Sequence, residues 1–367
     1  MRARPSRSAF ILAALGFAAA TALPSPTLAL AGGASDHSAP RIAILATVPG
    51  ATTTSLYFTQ AGEASPGSPV ASFAHLPNAV IRGVRLPGTS TVLATADARS
   101  GQDASFNAHL FRLDSRGGTK VLCDRVVHAS RPLITASGRV FVARGTAGTS
   151  RGDEEMRVDA LTIDEIEPTS GAARTVLRFT GYLTFLAGAV GDELLVYRVD
   201  PAGADLVRVD PDKGSIRAVL PALLPFARDF SVEAKKGSVV FQERDEHNSR
   251  IWVVDRVDLA TSTRTRLASG ASPTLSPYVL PDGRIIYSPE ARGLGFIGEA
   301  RPRAPLGPGV DAVQAAQGTA LAVLHTVEGK LPVAYTFDVA SGAASALPAP
   351  AGARVDIAGF VTERSAP

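Results

Sequence analysis

The chain has 367 residues, 45% of them apolar and 6% aromatic, with 34 glycines and 26 prolines. That length suffices for one large β domain or two small ones. The net charge of +3 arises at the N-terminus, where Arg2, Arg4 and Arg7 lie in a segment without acids, and the remaining basic side chains balance the 34 acidic ones. A neutral body gives no electrostatic footprint for nucleic acid or for an anionic membrane.

In chain order, residues 1–31 have the form of a secretory signal peptide: a basic stretch to Arg7, an apolar run from Ala9 to Leu23, and the small-residue site Ala29-x-Ala31. The apolar run is short for a membrane span and breaks at Pro24 and Pro26, so cleavage is expected rather than anchoring, with no stable membrane insertion afterwards. The mature protein is then periplasmic or extracellular. Residues 32–40 read as a polar linker, residues 41–361 as the folded body and residues 362–367 as a C-terminal tail.

From Arg41 onward the pattern is β throughout. The stretch YVLPDGRIIYSPE, Tyr278 to Glu290, shows the grammar most clearly. Two β-favouring runs flank Pro281-Asp282-Gly283, in which Pro fixes φ, Asp bonds its own backbone and Gly takes φ > 0. Similar turns recur at Gly88, Gly138, Gly191, Gly237 and Gly318, each followed by an apolar run. We label the strands of a unit a, b, c and d, with a and b forming the Gly-turn hairpin. After b comes c, often ending in Asp as at Asp114, Asp210 and Asp338; then a turn; then d. Units begin near Ala79, Arg131, Leu183, Arg228, Pro273 and Gly309. Their spacing, on the order of 40–50 residues, is that of four-stranded propeller blades. The fifth unit is the weakest, because GLGFIG and EARPRAPLG are poor c and d strands. The segment PALLPFARDF, interrupted by Pro225, has room for one helical turn at most.

Two fragments remain. The N-terminal runs RIAILATV, TSLYFTQ and PVASF match b, c and d, and RVDIAGFV at 354–361 matches a. Pairing them completes a seventh blade and removes the open sheet edges. The expected fold is an all-β, seven-bladed β-propeller of four-stranded blades, closed by its two terminal strands.

The Pro-Asp-Gly hairpin with its following strand resembles the WD40-like repeat of TolB-type β-propellers, where the turn reads Ser-Pro-Asp-Gly; here Leu280 replaces the Ser and the other units keep little beyond Gly. The resemblance implies the fold over residues 41–361. TolB-type proteins also carry a separate α/β domain for which this chain has no room, so their partners and role do not transfer.

Chemistry is sparsely signalled. Asp114, Asp210 and Asp338 recur with the blades and read as acceptors for local backbone N–H groups. Cys123, the single cysteine, lies in the apolar pattern TKVLCD and reads as a buried, inert thiol. His37, His75, His109, His128, His247 and His325 form no HxH, HxxxH or HExxH spacing, and there is no GxSxG, GxGxxG or phosphate-binding loop. Trp252 reads as core. Two b–c loops stand out: 144–156 with Asp153, Glu154 and Glu155, and 244–250 with Asp245, Glu246 and His247. Their carboxylates could hold a divalent cation, or they could be solvated loops.

The a–b and c–d turns are short, whereas the b–c loops and d–a links, on the opposite face, are long and varied. Variable loops on a rigid scaffold are where recognition is usually placed. The sequence therefore points to an exported, non-enzymatic propeller that binds a protein or peptide through Asp153, Glu154, Glu155, Asp245, Glu246 and His247, with no cofactor. The rival readings are a propeller lyase or hydrolase, or a small-molecule or cation binder, with its site at the channel mouth. Acidic, basic or imidazole groups from several blades meeting at that mouth would distinguish them.

Overall fold

Runs of alternating or fully apolar β-formers, punctuated by Gly, Pro and Asp, build strands throughout the body. The computed structural model describes residues 40–98, 106–146 and 160–361. Residues 1–39 and 362–367, which include the segments read above as signal peptide and tail, and Asp153, Glu154 and Glu155 lie outside the described residues.

The strands order themselves as antiparallel sheets. The first has the order β27 (Arg354–Val361), β1 (Arg41–Thr47), β2 (Thr53–Gln60) and β3 (Ala71–Ala74). Strand β27 pairs with β1 from Arg41↔Val361 to Thr47↔Arg354, as expected for the two chain ends. An eight-stranded sheet follows. One half holds β4 (Arg82–Arg85), β5 (Val92–Asp97), β6 (Ala108–Leu113) and β7 (Thr119–Val126); the other holds β8 (Leu133–Ile134), β9 (Val140–Gly145), β10 (Leu161–Ile166) and β11 (Ala173–Phe179). The pair Val126↔Arg144 joins the halves.

Next come β12 (Leu183–Val190) to β15 (Ser215–Leu223), with β13 (Glu193–Asp200) and β14 (Gly203–Asp210) between them. Then β16 (Arg228–Glu233) leads through β17 (Ser238–Arg244) and β18 (Trp252–Asp258) to β19 (Arg264–Gly270). The following sheet has three short strands, β20 (Tyr278–Val279), β21 (Ile285–Tyr287) and β22 (Gly295–Phe296), where Gly and Pro spoil the expected c and d strands. The last contains β23 (Val310–Gln317), β24 (Ala320–Thr326), β25 (Val333–Asp338) and β26 (Ala344–Ala346). No helix forms in PALLPFARDF, because β15 runs through Pro221 to Leu223.

The core lies between neighbouring groups. Val239 and Phe241 of β17 pack on Leu195, Tyr197 and Leu206 of the preceding sheet. Ile42 and Ile44 of β1 pack with Ala322 of β24 and Ala334 of β25, so the last group meets the first. Each sheet thus buries both faces, which explains why b strands read as almost continuous apolar runs.

The Gly turns work as expected. In the turn that joins β20 to β21, Gly283 has φ +87 and donates its N–H to Leu280 O at 2.9 Å. Asp210 accepts N–H groups of Asp212 and Lys213, and Asp338 accepts that of Ser341. Asp114 differs: its Oδ1 receives Thr91 Oγ1 at 3.0 Å and Arg112 Nε at 2.9 Å, while its backbone closes the turn. Cys123 is buried, and burial pushes its thiol up to about 12. His325 is a core residue, with Nδ1 2.9 Å from Asp311 Oδ1.

Candidate functional site

The first strands of the groups converge on one cavity of about 600 Å³. Its polar lining comes from the starts of these strands and the links before them, Arg82, Arg131, Asp229, Ser276 and Tyr278, and from Ser231 and Gln314 further along theirs. A smaller cavity of about 270 Å³ adjoins it through Arg82 and Leu324, and includes Asp356 and the loop residues Val48–Ala51. In an antiparallel sheet the strand starts among these positions fall on the b–c/d–a side, and the cavity runs inward from there past Gln314 and Ala187.

Asp356 is the anchor of this mouth. It sits at the start of β27 and is only 5% exposed. Its Oδ1 lies 3.1 Å from Arg131 Nη2 and 3.6 Å from Arg82 Nη1, and its Oδ2 receives the Gly83 N–H at 2.7 Å. Gly83 permits this approach, since a Cβ there would meet Leu45 Cδ1 at 2.5 Å. Arg131 Nη2 also donates to Gln314 Oε1 at 3.0 Å. Four separate segments are thereby tied together by charge-assisted bonds.

Asp229 lies on the same cavity. Its surface is open to cavity space, yet protein crowds around it, and that desolvation pushes its carboxyl above the usual range; Arg228, Gln242 and Arg82 act in the other direction. The side-chain amide of Gln242 donates to Asp229 Oδ2, while Gln242 Oε1 accepts Leu275 N–H at 2.9 Å. Asp229 and Ser276 hold left-handed backbone conformations, φ 54 and 40. Such conformations cost on the order of 1–3 kcal/mol each and persist where the surroundings over-determine them. Tyr278 is nearby, and desolvation raises its phenol.

Outward from Asp229 runs a second feature. Arg228 stacks over Trp252 at 4.7 Å, Arg244 stacks over Trp252 at 5.5 Å, and Arg244 stacks over Phe226 at 5.0 Å. Trp252 is 7% exposed and Phe226 is 51% exposed, so the ridge starts in the core and ends at the surface. Register pairing of Arg244 with Trp252 across β17 and β18 sets the stack. Arg244 Nε is buried and has no hydrogen-bond partner among the described residues.

The acidic loop continues this ridge. Asp245 is largely occupied: Oδ1 accepts the N–H groups of His247 and Asn248, each at 2.9 Å, and Oδ2 pairs with Arg266. Those bonds, the His247 N–H first, hold its carboxyl below the usual range. Glu246 and His247 are exposed, with Oε1 and Nε2 3.2 Å apart. Among the described residues no group of three or more His, Cys, Asp or Glu converges as metal ligands would. Sequence reasoning thus found the loop, named the channel mouth as the site of the rival readings without its residues, and missed the ridge. The residues could not be named because Arg82, Arg131, Asp229 and Asp356 are isolated charges far apart in the chain.

Among the described residues, no helix is long and apolar enough to cross a membrane. No protein-family model matches the chain, and no curated protein matches it in sequence. Among solved structures it is similar to a prolyl endopeptidase, with TM-score 0.56 and 16% identity over 86% of this chain and 50% of that one. It is similar to prolyl oligopeptidase B from Galerina marginata, with TM-score 0.54 and 11% identity over 85% of this chain and 48% of that one. TolB from Acinetobacter baumannii gives TM-score 0.48 and 13% identity over 87% of this chain and 67% of that one. The chain spans about half the length of the two prolyl peptidases, and at these identities the likeness carries fold and no activity. The chain has a β-propeller fold.

Proposed function

We propose that the protein is an exported, non-enzymatic propeller that presents its b–c/d–a face to a protein or peptide partner of the cell envelope; the charged groups of several blades at the mouth are the feature expected of the rival enzyme or small-molecule reading, and the ridge beside them favours a macromolecular partner. The observation that supports this reading is the ridge of Phe226, Arg244, Trp252 and Arg228, which leads from an exposed aromatic ring to the cavity mouth. Aromatic and Arg side chains that are partly pre-packed are the residues on which binding energy concentrates. Glu246 and His247 form the polar surround, and Asp153, Glu154 and Glu155, which lie outside the described residues, are further contacts proposed from the sequence alone. The scaffold is read as a seven-bladed ring, because each strand group shares a buried cluster with the next and the last does so with the first.

Paired substitutions test the assignment of the face. One variant carries Phe226→Ala, Glu246→Gln and His247→Ala; the other carries Lys235→Ala and Asp282→Ala on the short-turn face. Capture of a partner from an envelope fraction is expected to fall at least about tenfold, about 1.4 kcal/mol, in the first and to persist in the second. The reverse result places binding on the other face.

A further inference from the structure

The mouth shows how it holds a carboxylate, because it already holds one. Asp356 Oδ1 is approached by guanidinium groups from two different links, Arg131 at 3.1 Å and Arg82 at 3.6 Å. A guanidinium carries five N–H donors in a planar fork suited to carboxylates. The bonds of Arg131 all leave from Nη2, and the contact of Arg82 leaves from Nη1. The remaining donors have no protein partner among the described residues, and the side chains are 31% and 43% exposed beside the cavity they line.

Two guanidinium groups share the one carboxylate of Asp356. Asp229, the other acid of this cavity, is bonded by the Gln242 side-chain amide. Tyr278 and Gln314 add neutral donors. A mouth rich in guanidinium and neutral donors in a walled cavity suits an anion. Apolar groups, Leu133, Ala187, Val232 and Val279, line the cavity beyond it, so the anion should end something partly apolar.

The geometry points to a carboxylate-binding site at this mouth, in which Arg82 and Arg131 take the free α-carboxylate of a peptide C-terminus. This deepens the reading of the b–c/d–a face and rests on it: the cavity is joined to the aromatic ridge through the adjacent residues Arg228 and Asp229, so a partner lying along the ridge can send its chain end into the cavity. Asp229 then meets the terminal N–H, and the two guanidinium groups supply charge-assisted bonds to the carboxylate.

Calorimetric titration tests this with three probes: the tetrapeptide Ala-Ala-Ala-Val as free acid, the same peptide as its C-terminal amide, and succinate. The free acid is expected to bind, the amide at least about tenfold more weakly, and succinate without measurable heat. Arg131→Gln and Arg82→Gln should each weaken the free acid by about tenfold or more. Melting curves accompany both variants; if Arg131→Gln unfolds, Arg82→Gln, with its longer contact to Asp356, gives the reading. Equal binding of acid and amide, or no binding of either up to ~10 mM, overturns the site. Binding of succinate in place of the peptide overturns the chain-end assignment and makes the ligand a free organic acid. Lys235→Ala, on the short-turn face, is the control that should leave tetrapeptide affinity unchanged. Partner capture that persists in Arg131→Gln while tetrapeptide binding is lost overturns the chain-end contact and leaves the face assignment standing; partner capture lost only in the short-turn-face variant, with tetrapeptide binding intact, overturns the face assignment and leaves the mouth standing.

Discussion

Two sets of acidic side chains share the b–c/d–a face and differ in what they are free to do. At the rim, Asp245, Glu246 and His247 follow one another in the chain, and Asp245 uses both oxygens to close its own loop and hold Arg266. At the mouth, Asp356 of the last strand meets the guanidinium groups of Arg82 and Arg131 from two other groups of the fold, while Asp229 is bonded by Gln242 of its own sheet and flanked by Arg228. A contiguous charge run is conspicuous in a sequence, yet its members are close enough to satisfy local backbone. Asp356 has no such local partner and takes long-range ones, which places it at the shared mouth.

The largest effect should come from removing β27. Truncation after Gly352 deletes Asp356 and the strand that pairs along β1, and it opens an apolar edge. Its melting temperature should fall by more than about 10 °C, with the mouth lost too. A truncated protein that melts like the full chain would contradict both the closure and the dependence of the mouth on it.

Trp252→Ala comes next. Its ring is 7% exposed, so truncation should cost about 3–5 kcal/mol in denaturant unfolding. Glu246→Gln and His247→Ala, on exposed side chains, should stay within about 0.5 kcal/mol of the wild type. If the rim variants destabilise as much as the tryptophan variant, the loop is structural and the contrast drawn here fails.

Asp229 gives a pH signature. A carboxyl raised on folding means that the native state binds more protons than the unfolded chain, so stability falls as pH rises from the ordinary value of 3.8 through the raised one. Asp229→Asn should remove that fall and be the more stable protein above it, as read from melting curves against pH. An unchanged profile would mean that Asp229 is not crowded at the mouth. The smallest effect is at Cys123, whose thiol is buried and pushed up to about 12. A thiol reagent should label it slowly in the native state and rapidly in denaturant.

Much of the fold was legible because each unit announces itself locally. Gly283 and its counterparts fix turns, and apolar runs such as VVF at 239–241 need two covered faces. The weakness around GLGFIG was legible for the same reason. The site was not, because no local rule marks Arg131 or Asp356. Arg131 is an ordinary link residue until the strands bring Gln314 and Asp356 within 3.0 and 3.1 Å of it. The ridge was half visible: Trp252 read as core, but its stacking with Arg228 and Arg244 depends on the register of β17 with β18 and on the link before β16.

The central claim is that binding occurs on the b–c/d–a face. A photo-reactive side chain placed at Phe226, and in a separate protein at Lys235 on the short-turn face, tests it most directly. After irradiation in an envelope fraction, a discrete cross-linked adduct is predicted from position 226 and none from position 235. An adduct formed from 235 alone would contradict the account.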